Sequence, residues 1–294
     1  MYRVKRSIIG ALALLWVLGL GGCTALRLTY NNGAQLSWWW LDSYVDFSRE
    51  QSPLARQAVD RWFVWHRASQ LGDYVELLVT AQAQIAGPAT AAVACAWADR
   101  LRDAADPAIK RALDDFADFV PGLGEPQFKH IEQRYAKGDT EMRRDFMQAD
   151  PADRRREAVR RATDRAETLY GRLDEAQKRL IVAGVAASPF NPELWLAERQ
   201  QRQRDTVQAL RRLVAQRAER GQRVTALRAM LERTENSTDP AYRIYQARLS
   251  DYNCAFAARI HNATTPAQRE NAREALKGWE DDIRSLMAQT PAPG

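Results

Sequence analysis

His66 keeps the most suggestive company of any reactive residue in the chain, in the run Trp62-Phe63-Val64-Trp65-His66-Arg67. An imidazole can serve as general base, proton shuttle or metal ligand, but each role needs partners at fixed spacing. Helical zinc and di-iron sites show His-Glu-x-x-His or Glu-x-x-His, and neither pattern occurs around His66, His130 or His261. His66 follows Trp62 by four residues and Ala58 by eight, on a stripe that also takes in Leu54. That placement predicts a buried, hydrogen-bonded imidazole, so Trp62, Trp65 and His66 are expected in the structural core. No Gly-x-Ser-x-Gly elbow, Gly-x-Gly-x-x-Gly turn or phosphate loop is present. The acid pairs Asp73 with Glu76 and Asp281 with Asp282 sit among bases and read as solvated helix faces. The chain is therefore expected to be non-enzymatic, with no catalytic residue, metal or cofactor.

Cysteine chemistry is more informative. Arg3, Lys5 and Arg6 precede an apolar run from Ile8 to Leu20 that ends in Leu20-Gly21-Gly22-Cys23, the layout of a secretion signal. The run is well short of the ~20 residues that cross a ~30 Å hydrocarbon core. Leu at −3, small residues at −2 and −1 and Cys at +1 match the lipobox of bacterial lipoproteins. Residues 1–22 are thus read as a cleaved signal peptide and Cys23 as the lipidation site, with a palmitate-type acyl chain and a diacylglyceryl group. Several chains anchor durably where one alone binds reversibly, so the lipid bilayer is the first expected partner. Thr24 after the cysteine, in place of Asp, favours the periplasmic face of the outer membrane over the inner membrane. Cys95 and Cys254 remain, in a compartment that permits a disulfide. Small-residue faces around each (Ala91 and Ala98; Ala247, Ser250 and Ala258) suit a bridge, and two separately buried thiols are the other reading.

With the signal's three bases removed, the formal charge falls from +6 to +3. Arg154-Arg155-Arg156 and Arg160-Arg161 are interleaved with Asp153, Glu157 and Asp164, which marks a solvated helix face and excludes nucleic acid as a partner.

The elements holding these residues read as helices throughout. Apolar residues recur at three and four, as in Leu71, Tyr74, Leu78, Ala81 and Ile85, or Ala272, Leu276, Trp279, Ile283 and Leu286. Capping residues followed by proline mark starts at Asp106-Pro107, Asp150-Pro151, Asn191-Pro192, Asp239-Pro240 and Thr265-Pro266. Breaks are expected near Gly87-Pro88, 121–124, Gly138, Ser188-Pro189, Gly221 and 236–238. The fold class is all-α: one domain of about eight to ten helices over 34–290, after a lipidated tether at 23–33. A pair of subdomains meeting near Gly122 is the alternative. Leu36, Trp40, Tyr44 and Phe47 at helical steps suggest a core-facing first helix. The run Trp38-Trp39-Trp40, close behind the anchor, also suits a membrane interface.

One repetition stands out. Ser48-x-x-Gln51, Gly124-x-x-Gln127, Asp174-x-x-Gln177 and Thr265-x-x-Gln268 each place Gln three residues after a cap position. Local capping boxes explain all but the Gly124 copy fully, because that residue has no capping side chain. The repetition also resembles the Leu-Thr-x-x-Gln motifs of small periplasmic stress chaperones and adaptors, and that resemblance implies curved helical hairpins. A broader resemblance rests on Tyr30-Asn31-Asn32, Trp39, Leu41-Asp42, Tyr44-Val45-Asp46, Gln51, Trp65-His66-Arg67 and Trp195-x-x-x-Arg199-x-x-Arg202. These are similar to a family of proteobacterial lipoproteins designated only as a domain of unknown function. The chain is expected to bind periplasmic proteins or peptides as an envelope chaperone or adaptor. The alternative is a structural or assembly lipoprotein of an outer-membrane or cell-wall complex.

Overall fold

The computed structural model describes residues 24–289, so the expected signal peptide and Cys23 lie outside the described residues. Twelve α-helices and no strand occur among them. In chain order they are α1 (Thr24–Asn31), α2 (Gly33–Val45), α3 (Gln51–Ser69), α4 (Leu71–Gln84), α5 (Ala91–Phe116), α6 (Glu125–Phe146) and α7 (Pro151–Tyr170). There follow α8 (Glu175–Ala187), α9 (Pro192–Ala215), α10 (Arg220–Glu235), α11 (Pro240–Asn262) and α12 (Pro266–Ala288). A 3-10 turn, Val120–Gly122, lies between α5 and α6.

Four of the five cap-and-proline signals open helices, through hydrogen bonds from Ala152 N–H to Asp150, Leu194 N–H to Asn191, Ala241 N–H to Asp239 and Gln268 N–H to Thr265. The fifth does not: Asp106-Pro107 lies inside the 26-residue α5. Gly138, expected as a break, is buried within α6, with Arg199 Nη2 just 3.3 Å from where a Cβ would stand. The count exceeds eight to ten because two breaks carry no proline, at Asn32 and at Gln70. The stretch expected as a tether is also helical: α1 docks on α12, where Arg27 pairs with the buried carboxylate of Asp282 at 3.2 Å. Asp282 is thereby corrected from a solvated residue to one only 4% exposed, and burial raises its pKa.

Chain halves interleave. Helix α4 lies along α12 and α5 along α11, while α6 lies along α9; α2 packs on α3 and α6, and α7 on α8 and α12. Two apolar clusters result. Trp38, Phe47, Val120, Phe128, Val207 and Leu210 belong to one, and Ala166, Tyr170, Leu173, Ile181 and Ala272 form the other. Close approach is enforced at Gly184 of α8, where an added Cβ would fall 2.1 Å from the Phe256 ring of α11. Cys95 of α5 and Cys254 of α11 are bonded, with Cα atoms 5.2 Å apart.

Leu36 and Trp40 do not face the core, as their spacing suggests. Both are more than two-fifths exposed, whereas Trp38 and Val45 of the same helix are buried. Tyr44 and Phe47, later in the same stripe, do pack with the core, so the stripe meets the inner face only at its C-terminal end. Leu54 likewise leaves the His66 stripe and is 59% exposed.

Candidate functional site

His66 is buried, and Trp62 stacks on its ring with centroids 4.6 Å apart. Trp62 and Trp65 themselves are only half-buried. Trp62 donates its indole N–H to Ala108 O, and the Arg111 guanidinium lies over Trp65. Tyr30 Oη lies 2.9 Å from His66 Nδ1 and Tyr74 Oη 3.1 Å from Nε2. A neutral imidazole satisfies both, accepting from one hydroxyl and donating to the other oxygen. Burial lowers the His66 pKa to about 4 and raises that of Tyr30 to about 12. Neither depression described below is lined by His66, and its ring nitrogens are taken by tyrosines, so the geometry is that of a bolt joining α1, α3 and α4.

The other two histidines are bolts as well. His261 Nε2 donates to Gly87 O at 2.7 Å, which leaves Nδ1 to accept from Tyr170 at 2.9 Å. His130 Nε2 donates to Ser43 O. Among the described residues no group of three His, Cys, Asp or Glu is placed to hold a metal ion.

The His66 arrangement makes stability pH-dependent. Its folded pKa, about 4, lies below the ordinary value near 6.5, so between those values the unfolded chain binds the extra proton. Stability contributed by neutral His66 is full above pH 6.5 and is lost as pH falls towards 4. We expect a loss of about 2–3 kcal/mol across that window. His66→Gln should be less stable at pH 7 yet flatter with pH, as read by urea midpoints at pH 7 and 5. An equal pH slope in both proteins would contradict the assignment.

The glutamine motifs do more than cap. Each Gln side-chain oxygen accepts from the backbone N–H three residues before it: Ser48, Gly124, Asp174 and Thr265. At Ser48, Asp174 and Thr265 the cap side chain accepts in return from the Gln N–H, and Gly124 lacks that second half. A capping box leaves the amide nitrogen free. Here it crosses to another loop. Gln51 Nε2 donates to Gly122 O at 2.8 Å, and Gln127 Nε2 donates to Asp46 O at 3.3 Å and to Gln51 Oε1 at 2.9 Å. Gln177 Nε2 donates to Ala263 O at 2.8 Å and to Gln268 Oε1 at 2.6 Å. Gln268 Nε2 returns bonds to Arg172 O at 2.9 Å and Gln177 Oε1 at 3.0 Å. In all four cases the backbone acceptor lies five residues before the partner glutamine. Sequence spacing shows four caps; that they close as two reciprocal clasps, 51 with 127 and 177 with 268, is visible only in three dimensions.

The two clasps belong to one repeated design. Twelve residues beyond Gln127 and Gln268 stand the buried carboxylates Asp139 and Glu280. Asp139 accepts from Gln203 of α9, along with Arg199 and Gln200. Glu280 accepts from Gln82 of α4 and from Arg284. Gln203 and Gln82 are each the twelfth residue of their helix. The clasped glutamines are 76 residues apart in the first half and 91 in the second, where α10, 16 residues long, is the additional helix between them. Asp139 and Glu280 were missed from sequence, and their common offset from the glutamines was the signal that could have found them.

Beside each clasp lies a shallow open depression. One, of about 300 Å³, is lined by Gln51, Leu54, Arg61, Asp118 and Phe119 among others; the second, of about 370 Å³, is lined by Arg172, Leu173, Asp174, Thr265 and Gln268.

Comparison with known families matches residues 43–243 to a family described as a family of unknown function (DUF6279). The chain belongs to this family. The matched stretch contains the first clasp whole, together with Asp174 and Gln177, and stops short of Thr265 and Gln268. Family membership fixes no chemistry for these residues. Comparisons with curated proteins and with solved structures each found no match.

Proposed function

We propose that the protein is a lipid-anchored periplasmic lipoprotein of the outer membrane that binds non-native proteins or peptides, as an envelope chaperone or adaptor, and does so without catalysis. The observation that carries this reading is the pair of glutamine clasps, each with an open depression beside it. Their motifs resemble the Leu-Thr-x-x-Gln repeats of periplasmic stress chaperones, and each depression is lined in part by residues of its clasp, Gln51 in the first and Arg172 and Gln268 in the second. The first depression mixes the apolar Leu54 and Phe119 with Arg61, Asp115 and Asp118. Such a mixture suits extended chain, with its alternating apolar and polar side chains, better than a small molecule, which favours an enclosed apolar cavity.

Fluorescence anisotropy of a labelled, permanently unfolded protein titrated with the purified chain tests this. Saturable binding that Leu54→Glu weakens and folded protein does not compete for is the expected result. Equal binding of folded and unfolded forms, or none of either, would overturn it.

The anchor has its own test. Cells fed labelled palmitate should label the wild-type protein and not Cys23→Ser, and the variant should accumulate in its unprocessed form. An unlabelled wild type removes the anchor from this account.

A further inference from the structure

Helices α1 and α2 count as one for the direction their side chains take. Asn32 N–H bonds to Leu28 O and Leu36 N–H to Asn32 O, so the helical ladder runs through their junction. At ~100° per residue, Trp38, Leu41 and Val45 turn inward, where Trp38 and Val45 are buried. Leu28, Asn32, Leu36, Trp39 and Ser43 share the opposite face, with Trp40 at its edge. Leu28 is 63% exposed, Trp39 53%, Leu36 45% and Trp40 42%.

The outer face of a surface helix ordinarily carries the charges. Here it carries none. Arg27 and Asp42 are the only charged residues from 24 to 45, and both are engaged with the protein. Arg27 pairs with Asp282, and Asp42 Oδ1 accepts from Phe47 N–H. By contrast, the exposed side of α7 is laced with ion pairs such as Arg160 with Glu157 and Asp164.

We infer that the face formed by Leu28, Leu36, Trp39 and Trp40 lies against the lipid bilayer, so that the first two helices rest along the membrane surface. The occupant is identified by position and chemistry. Cys23, the proposed acylation site on which this inference rests, adjoins the first residue of α1, so the bilayer meets the chain where this face begins. Indole rings settle at the boundary between headgroups and acyl chains, and a helix with one apolar face can lie in that plane. An uncharged face suits zwitterionic phospholipid and needs no anionic headgroup. The protein is then held by its acyl chains and also oriented by a second contact.

The test uses the full processed chain purified from membranes and reconstituted into phosphatidylcholine vesicles, with or without bromine on the upper acyl carbons. Bromine quenches indole on contact, and eight of the nine tryptophans remain in the processed chain, Trp16 leaving with the signal peptide. With Trp39 and Trp40 alone at the interface, about a quarter of the emission should be quenched. Trp39→Phe with Trp40→Phe should abolish most of that quenching, while thermal stability and flotation with the vesicles are unchanged. Quenching that is absent, or equal in wild type and double variant, overturns the inference, including when cross-linking shows the face joined to a second copy. Acyl mass measured on the same sample keeps the two ideas apart. Acylated protein without Trp39- and Trp40-dependent quenching refutes the face alone. Unacylated protein that still shows it refutes the anchor and supports the face.

Discussion

Cys95→Ala lowers the unfolding free energy of the oxidised chain by up to about 5 kcal/mol, the largest effect expected of any single change. The bond closes a sequence separation of 159 residues, and cross-linking so long a loop strips much of the unfolded chain's conformational freedom. It also joins α5 to α11, one helix from each half. Without it those helices are held by side-chain packing alone, with Gly184 keeping α8 close to Phe256 of α11. Guanidinium denaturation of the oxidised wild type, Cys95→Ala and Cys254→Ala should give matching losses for the two variants. Reduced wild type should fall with them. A midpoint in either variant equal to that of the oxidised wild type would mean that the bond does not form in the native protein.

Gln268→Glu should cost about 3 kcal/mol, because a carboxylate would face the carbonyl oxygen of Arg172 and the amide oxygen of Gln177 with no donor to offer. The same change separates clasp from cap. Glu serves as well as Gln in a capping box, so a purely local role predicts almost no change. Gln177→Glu should behave like Gln268→Glu, since its amide meets Ala263 O and Gln268 Oε1. Gln222 provides the control: it is exposed and accepts from Glu219 N–H within its own turn. Gln222→Glu should stay within about 0.5 kcal/mol of wild type. The loss at position 268 should also shrink on acidification. A carboxyl whose folded pKa is raised binds its proton in the folded state first, and protonation restores one donor. Equal urea midpoints for the 268 and 222 variants would reduce the clasps to ordinary caps.

Helix identity was legible because apolar period and caps speak locally. Asp150, Asn191, Asp239 and Thr265 each announce a start that the backbone obeys. What misled was punctuation without context. Pro107 looked like a helix start, yet α5 runs through it, sustained by packing along α11. Gly138 looked like a break, yet it admits Arg199 beside Asp139. Conversely, the chain divides at Asn32 and Gln70 with no proline to signal it. Facing was harder still. Leu36, Trp40, Tyr44 and Phe47 fit one helical stripe and Trp38, Leu41 and Val45 another; the neighbouring helices pack against the second and, of the first, only Tyr44 and Phe47 reach the core. The four glutamine positions could be read from spacing, whereas their pairing could not, because each amide finds its acceptor in a loop distant in sequence.

We propose that this doubly clasped frame presents a surface for non-native protein. Light scattering of a chemically unfolded, aggregation-prone protein diluted into native buffer tests it most directly, with the purified processed chain present or absent. The account predicts that an equimolar amount of the chain suppresses most of the scattering, that no nucleotide is needed, and that Leu54→Glu is markedly weaker. Scattering left unchanged even at about tenfold molar excess of folded chain, where mass action would reveal weak binding to the unfolded state, would contradict it.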